Sequence, residues 1–150
     1  MQAFWVTGGI ASAVAACLVA AHHLRRRFTV VTIDGTSMEP TLSPGDQVVV
    51  KRRGIDRIRP GDIVVLLPPR TQDRYESLDG SVWNIKRAAA VPGNPVPSGI
   101  PGTDGLAEVP AGSLVVFGDN PDSIDSRHRG LFPADRMLGV AIRRLGGPAL

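Results

Sequence analysis

The chain has one cysteine, one tyrosine and two lysines, and no charged side chain in its first 21 residues. Each scarcity narrows the possibilities. A single cysteine, Cys17, excludes an intrachain disulfide and leaves the redox compartment open. No spacing of His, Cys and carboxylates matches a metal site, so neither a metal nor another cofactor is expected. His22 and His23 read as interfacial residues rather than ligands. Aromatics do not interleave with basic residues, and a net charge of +3 is mild, so nucleic acid is not an expected partner. No segment after residue 27 holds a helical period, and no internal repeat is present.

The shortage of lysine is lopsided, because Lys+Arg total 17 and only Lys51 and Lys86 are lysines. Codon bias is a bland cause. The imbalance still directs attention, since a lysine can titrate and serve as a base whereas an arginine cannot.

What is present suits one small domain on a tether. A length of 150 residues allows one compact unit but not two with a linker. Residues 4–21 are apolar or small throughout, and as a helix they would extend roughly 27 Å. That length is marginal against a hydrocarbon core of about 30 Å. His22, His23 and then Arg25, Arg26 and Arg27 mark a membrane–water boundary. A cleaved signal peptide would need its basic stretch before the apolar one, and Val14-Ala15-Ala16-Cys17, which resembles a lipoprotein box, lacks the same basic start. The favoured reading is an uncleaved single-pass anchor over residues 1–27, followed by a β-rich domain over 28–150.

With 17 Gly and 13 Pro, the remainder reads as short strands between turns. Residues 28–33, 48–50, 63–67, 82–89, 114–117 and 138–142 are rich in β-branched side chains and bounded by Gly, Pro or Asp. Ser43-Pro44-Gly45-Asp46 and Arg59-Pro60-Gly61-Asp62 are turn signatures, each leading into a strand. Residues 68–80 and 92–112 read as loops. The expected fold is a mainly antiparallel β domain.

Three segments carry chemistry. In Gly35-Thr36-Ser37-Met38-Glu39-Pro40-Thr41-Leu42, a serine on a tight turn at a strand end is exposed, with backbone N–H groups near a developing oxyanion. The same residues also read as an ordinary Gly/Pro turn. In Val82-Trp83-Asn84-Ile85-Lys86-Arg87-Ala88-Ala89-Ala90-Val91, alternation puts Lys86 on one face with Val82, Asn84, Ala88 and Ala90. Burying an ammonium is costly, and a lysine base near pH 7 needs its pKa lowered by about three units, roughly 4 kcal/mol of environment. A strand-edge lysine that snorkels to solvent is the alternative. Gly118-Asp119-Asn120-Pro121-Asp122-Ser123-Ile124-Asp125-Ser126-Arg127 concentrates carboxylates, hydroxyls and an arginine, in a stretch able to orient a lysine or to form a solvated turn.

In order and spacing these segments resemble the boxes of type I signal peptidases, the serine/lysine membrane proteases that remove signal peptides. Residues 37–42 match a Ser-Met-x-Pro-Thr-Leu box, and residues 61–64 match Gly-Asp-Ile-Val. Residues 86–93 match a Lys-Arg box ending in Pro-Gly-acid, with Asn94 in the acid's place. Residues 118–127 match Gly-Asp-Asn…Ser-x-Asp-Ser-Arg. The resemblance spans about residues 4–142, with the apolar segment just before the first box.

The resemblance implies roles. Ser37 would be the nucleophile and unprotonated Lys86 the general base. Ser123 would orient Lys86, while Asp125 with Arg127, and Asp119 with Arg87, would brace the site. The backbone N–H of Ser37 would contribute to the oxyanion hole. The precursor would bind as an added β-strand against Met38, Pro40, Asn84 and Ile85, with small side chains in shallow pockets. The implied partners are signal-peptide-bearing precursors and membrane lipid, and a monomer is expected. Three departures accompany the match. Gly35 stands where some members carry a second serine, the last box is one residue short, and a long insertion between the last two boxes is absent. The absent insertion suggests a minimal catalytic core. Two other readings are a self-cleaving repressor-type Ser/Lys protease, which would need a DNA-binding module, and a membrane-tethered binding protein with a degenerate site. A Ser/His/Asp triad would have to recruit His128, to which nothing else points.

One conflict stands. Secreted precursors are cut outside the plasma (inner) membrane, so the resemblance places residues 28–150 on the extracytoplasmic face. Arg25, Arg26 and Arg27 instead predict, by the positive-inside rule, a cytoplasmic domain.

Overall fold

The computed structural model describes residues 3–66, 83–147 and 149–150, with side chains from residue 14 onward. The N-terminal stretch forms helix α1 (Ala3–Arg27), which ends on Arg25, Arg26 and Arg27. Among the described residues no helix is long and apolar enough to cross a membrane. The expected spanning helix is therefore not shown by the described residues, whose side chains begin at residue 14 within α1.

The chain passes from α1 directly into β1 (Phe28–Thr32) and then β2 (Gln47–Lys51), β3 (Ile63–Leu66), β4 (Asn84–Ala90) and β5 (Ser113–Phe117). A single helical turn, α2 (Ser126–Arg129), leads to the short β6 (Phe132–Pro133) and to β7 (Met137–Arg144). All pairings are antiparallel. The sheet order is β1-β2-β7-β3-β4-β5-β6, which makes the last strand a central one. A mainly β, antiparallel architecture is thus what the turn-and-strand pattern predicted. α2 and β6 were not foreseen, because one helical turn and a two-residue strand are too short to carry a period. The expected loop at 68–80 lies outside the described residues, as do Leu67 and Val82. The loop at 92–112 is irregular but tied by a Pro95–Glu108 bridge, and its Ile100 and Val109 pack with Ala90 of β4 and Val115 of β5.

Two matching turns feed the sheet. In the first, Asp46 N–H donates to the Ser43 carbonyl at 3.1 Å and Ser43 N–H to Asp46 Oδ2 at 3.0 Å. In the second, Asp62 N–H donates to the Arg59 carbonyl at 3.1 Å and Arg59 N–H to Asp62 Oδ2 at 3.0 Å. Proline fixes φ at the second position, and glycine takes the positive φ required at the third, +88° at Gly45 and +97° at Gly61. The aspartate closes each turn with its own carboxylate.

Alternation along β3 divides the interior. Ile63 and Val65 pack with Ile33, Met38, Leu42, Val48, Val50 and Ile85 on one face. Val64 and Leu66 pack with Ala88, Leu114, Val116, Phe132 and Val140 on the other. Successive side chains in a strand point to opposite faces, so both faces of β3 are covered and all four of its residues are buried. Lys86 pairs with Val64, which in turn pairs with Val140, so the lysine stands in the register of the second apolar layer.

Candidate active site

Ser37 sits in the turn that follows β1. Glu39 N–H donates to the Thr36 carbonyl and Leu42 N–H to the Met38 carbonyl, which curls residues 36–42 into a tight, non-repeating turn. Met38 and Leu42 are buried in the first apolar layer, pinning this turn to the core and leaving Ser37 half-buried between them and solvent. The Ser37 hydroxyl donates to the carbonyl of Ile85 at 3.4 Å. It is thus engaged by the residue next to Lys86.

Lys86 is 4% exposed, and its Nζ donates to Ser123 Oγ at 3.0 Å. Its neighbours along the strand are the small Ala88 and Ala90, also buried. Desolvation dominates its titration and lowers its pKa from 10.5 to about 8. Asp125 opposes this by favouring the ammonium, whereas the positive charges of Arg129 and Arg127 reinforce it. The lysine is therefore neutral in about a tenth of molecules at pH 7.

The residues that hold these two groups come from the 118–127 segment. Asp125 is completely buried and accepts four hydrogen bonds: from Gly118 N–H at 2.8 Å, Arg127 N–H at 3.1 Å, Arg127 Nε at 2.9 Å and Arg127 Nη2 at 2.6 Å. Burial alone would raise its pKa. The Arg127 guanidinium and the two backbone donors outweigh that and hold it below the usual carboxylate range. Asp125 also caps α2 through the Arg127 N–H, and the Arg127 guanidinium lies 5.3 Å above the Phe117 ring. The buried Ser126 hydroxyl accepts from Val116 N–H at 2.9 Å, fastening α2 to β5.

Asp119 forms a second brace. Arg87 grips it bidentately, Nε to Oδ1 at 2.8 Å and Nη2 to Oδ2 at 2.6 Å, and also donates from Nη1 to the Gly61 carbonyl at 2.8 Å. The Thr41 hydroxyl adds a 2.6 Å bond to Asp119 Oδ2. The Arg87 guanidinium lowers the Asp119 pKa, helped by Thr41. Through Arg87 this one carboxylate thus ties β4 and the turn before β3 to the turn carrying Ser37. Asn120 strengthens the link, donating from its backbone N–H to the Ser37 carbonyl and from Nδ2 to the Thr36 carbonyl, both at 3.1 Å.

The four positions expected to meet substrate differ in access. Pro40 is exposed beyond a cis Glu39–Pro40 peptide, Asn84 is half-buried, and Met38 and Ile85 lie in the first apolar layer. His128 is exposed on α2. Among the described residues no group of His, Cys and carboxylates could hold a metal ion. Thr41, Asn120, Ser126 and Gly118 also belong to the site, although sequence reading gave them no separate role. The signal was available, since each lies inside one of the boxes.

Paired strands leave an opening beside this cluster. β5 pairs with β4 only from Arg87 onward, while β3 pairs with Asn84, Ile85 and Lys86 on the other side. Among the described residues no strand pairs with the N-terminal half of β4 on the side away from β3, which leaves an open edge there beside the Ser37 turn.

No curated protein matches the chain. The family described as signal peptidase, peptidase S26, matches residues 6–99 and 97–145. That match takes in every segment of the site, from the Ser37 turn through β4 to the Asp125–Arg127 pair, and the chain belongs to the signal peptidase family, peptidase S26.

Proposed function

We propose that this protein is a membrane-bound serine endopeptidase that removes signal peptides from exported precursors, with Ser37 as nucleophile and Lys86 as general base. The observation that carries the reading is the state of Lys86. It is a buried lysine with a pKa lowered to about 8, held by Ser123 and next in sequence to the carbonyl that receives the Ser37 hydroxyl. A structural lysine has no need of that environment; a base does.

The proposed reaction starts with a precursor strand added along the free edge of β4, where backbone hydrogen bonds give affinity and shallow pockets select small side chains. The Ser37 hydroxyl turns from the Ile85 carbonyl toward Lys86. Neutral Nζ takes the proton as Oγ attacks the scissile carbonyl carbon, and the oxyanion is met by the Ser37 N–H. The intermediate collapses as the Lys86 ammonium returns that proton to the leaving amine. The resulting ester on Ser37 is cleaved by a water that Lys86 deprotonates, releasing the carboxylate and restoring the serine. Ser123 keeps the amine aimed at Ser37, and the Asp125–Arg127 and Asp119–Arg87 pairs hold the two halves of the site in register.

Residues 1–27 are proposed as the membrane attachment and residues 28–150 as the peptidase domain, lying on the extracytoplasmic face and acting as a monomer. Cleavage of a signal-peptide-bearing precursor by purified Ser37→Ala and Lys86→Ala variants tests the dyad. Both should be inactive while folded, and activity retained in Lys86→Ala would sink it. Labelling of Ser37 by an acylating inhibitor, read by mass spectrometry, separates an active enzyme from a degenerate binding protein.

A further inference from the structure

We propose that a basic hollow at the foot of α1 is a docking surface for the anionic phosphate headgroups of a lipid bilayer. The hollow has a volume of about 600 Å³ and is lined by Lys51, Arg52, Arg53, Arg57 and Arg59, with Asp56 and Asp62 as its acidic residues. Asp62 closes its own turn on the Arg59 N–H and keeps its charge. The other, Asp56, stands 3.6 Å from the Arg57 guanidinium in a solvent-exposed pair that screens little charge. Five cations against two carboxylates leave the hollow net positive.

Its position supplies the reason for choosing a bilayer. Phe28, the first residue after α1, pairs with Lys51, whose ammonium lies 5.8 Å from the Phe28 ring. Arg52 N–H donates to the Arg27 carbonyl at 2.9 Å. The hollow is thus tied to the helix end that carries Arg25, Arg26 and Arg27, all exposed. Above that end, Val14 is 53% exposed, Leu18 66%, Val19 57% and Leu24 58%, so the apolar side chains of the described helix are not covered by the β domain. An uncovered apolar helix bordered by a concentrated cationic rim matches the change from hydrocarbon to phosphate across a membrane surface. An acidic protein or a nucleic acid would answer the charge but not the adjoining apolar helix. On this reading the three arginines contact the leaflet facing the β domain, and their charge no longer argues for a cytoplasmic domain.

The test measures partitioning of the full chain onto vesicles of phosphatidylcholine alone and of phosphatidylcholine with one-third phosphatidylglycerol. At low salt the protein should bind the anionic vesicles more tightly, and added salt should erase the difference. Each basic side chain near an anionic surface contributes about fivefold, so the Arg57→Gln/Arg59→Gln variant should lose roughly 30-fold on anionic vesicles and nothing on neutral ones. Asp56→Asn should move the other way by about fivefold, a gain that a folding defect cannot mimic. Equal binding of the parent protein to both vesicles overturns the proposal, as does an undiminished anionic preference in the double variant. Loss of that preference on adding inorganic phosphate at constant ionic strength would assign the hollow to a free anion instead, and would also overturn it. The proposal stands apart from the dyad: Ser37→Ala, inactive on precursor, should keep the full anionic preference.

Discussion

Gly118 stands directly against Ser123, with no room between them for a methyl group: a Cβ at position 118 would overlap the Ser123 hydroxyl and lie 2.5 Å from the Ser37 carbonyl oxygen. The glycine backbone is thus the partition between the serine that holds Lys86 and the turn that presents the proposed nucleophile. Gly118→Ala should displace both at once. We expect precursor cleavage to fall by at least about 100-fold, on the order of 3 kcal/mol in kcat/KM. The melting temperature should fall as well, because backbone and a short side chain cannot yield cheaply. Near-parental kcat/KM in that variant would contradict this account of the site.

Lys86 sets stability against activity. Its folded-state pKa lies below the unfolded one, so between about 8 and 10.5 the unfolded chain binds the extra proton. The sign follows: the cost of burial is fully present below pH 8 and is relieved as pH rises toward 10.5. That interval corresponds to about 3 kcal/mol at ~1.4 kcal/mol per pH unit. Lys86→Met should be inactive yet more stable at pH 7 by about 2 kcal/mol, the remainder going to the unpartnered Ser123 hydroxyl. Denaturant titration of both proteins checks it, and a destabilised methionine variant would argue against a strained lysine.

In the proposed mechanism the same pKa governs the rate. With Lys86 titrating at about 8, kcat/KM should rise roughly tenfold between pH 7 and pH 9 and then level off as the amine loses its proton. Because Arg129 is among the charges that lower this pKa, Arg129→Gln should carry the limb to higher pH. A profile that is flat over this range would remove Lys86 as the base.

Asp125 is the group whose loss should hurt the fold most. It is fully buried and matched by four donors, two of them from a guanidinium. Asp125→Asn puts an amide where donors converge and leaves Arg127 without its counter-charge, an expected cost of about 3 kcal/mol. Since the Asp125 pKa is depressed, its contribution persists above the ordinary carboxylate range and fades only as pH falls through the lowered value. Thermal melts from pH 7 downward should therefore stay level in the parent until strongly acid conditions.

Much of this arrangement was legible in the sequence, because the informative signals were local. Alternation placed Lys86 on an apolar face with Ala88 and Ala90, and the two Pro-Gly-Asp turns announced β2 and β3. What escaped was non-local or too short. Thr41 and Asp119 are 78 positions apart, and no period connects them. The Ile85 carbonyl as partner of the Ser37 hydroxyl is a backbone feature that side-chain patterns do not encode. Joining Lys51 and Arg52 to the end of α1 depends on the β1–β2 register, which only the folded hairpin fixes. The apolar N-terminal run pointed to a spanning helix, which the described residues do not show.

The place of β7 in the sheet bears on when this protein could first act. Ser37 follows β1, on the β1–β2 side, while Lys86 lies in β4, on the β3–β4–β5 side, and β7 pairs with both β2 and β3 between them. Among the described strands it comes last in the chain. Until residues 137–144 are in place, the two halves have no sheet to share, and the serine and the lysine belong to separate hairpins. The serine and the lysine are therefore brought into one sheet only when β7 joins the two hairpins, so the site and the non-local centre of the fold form together.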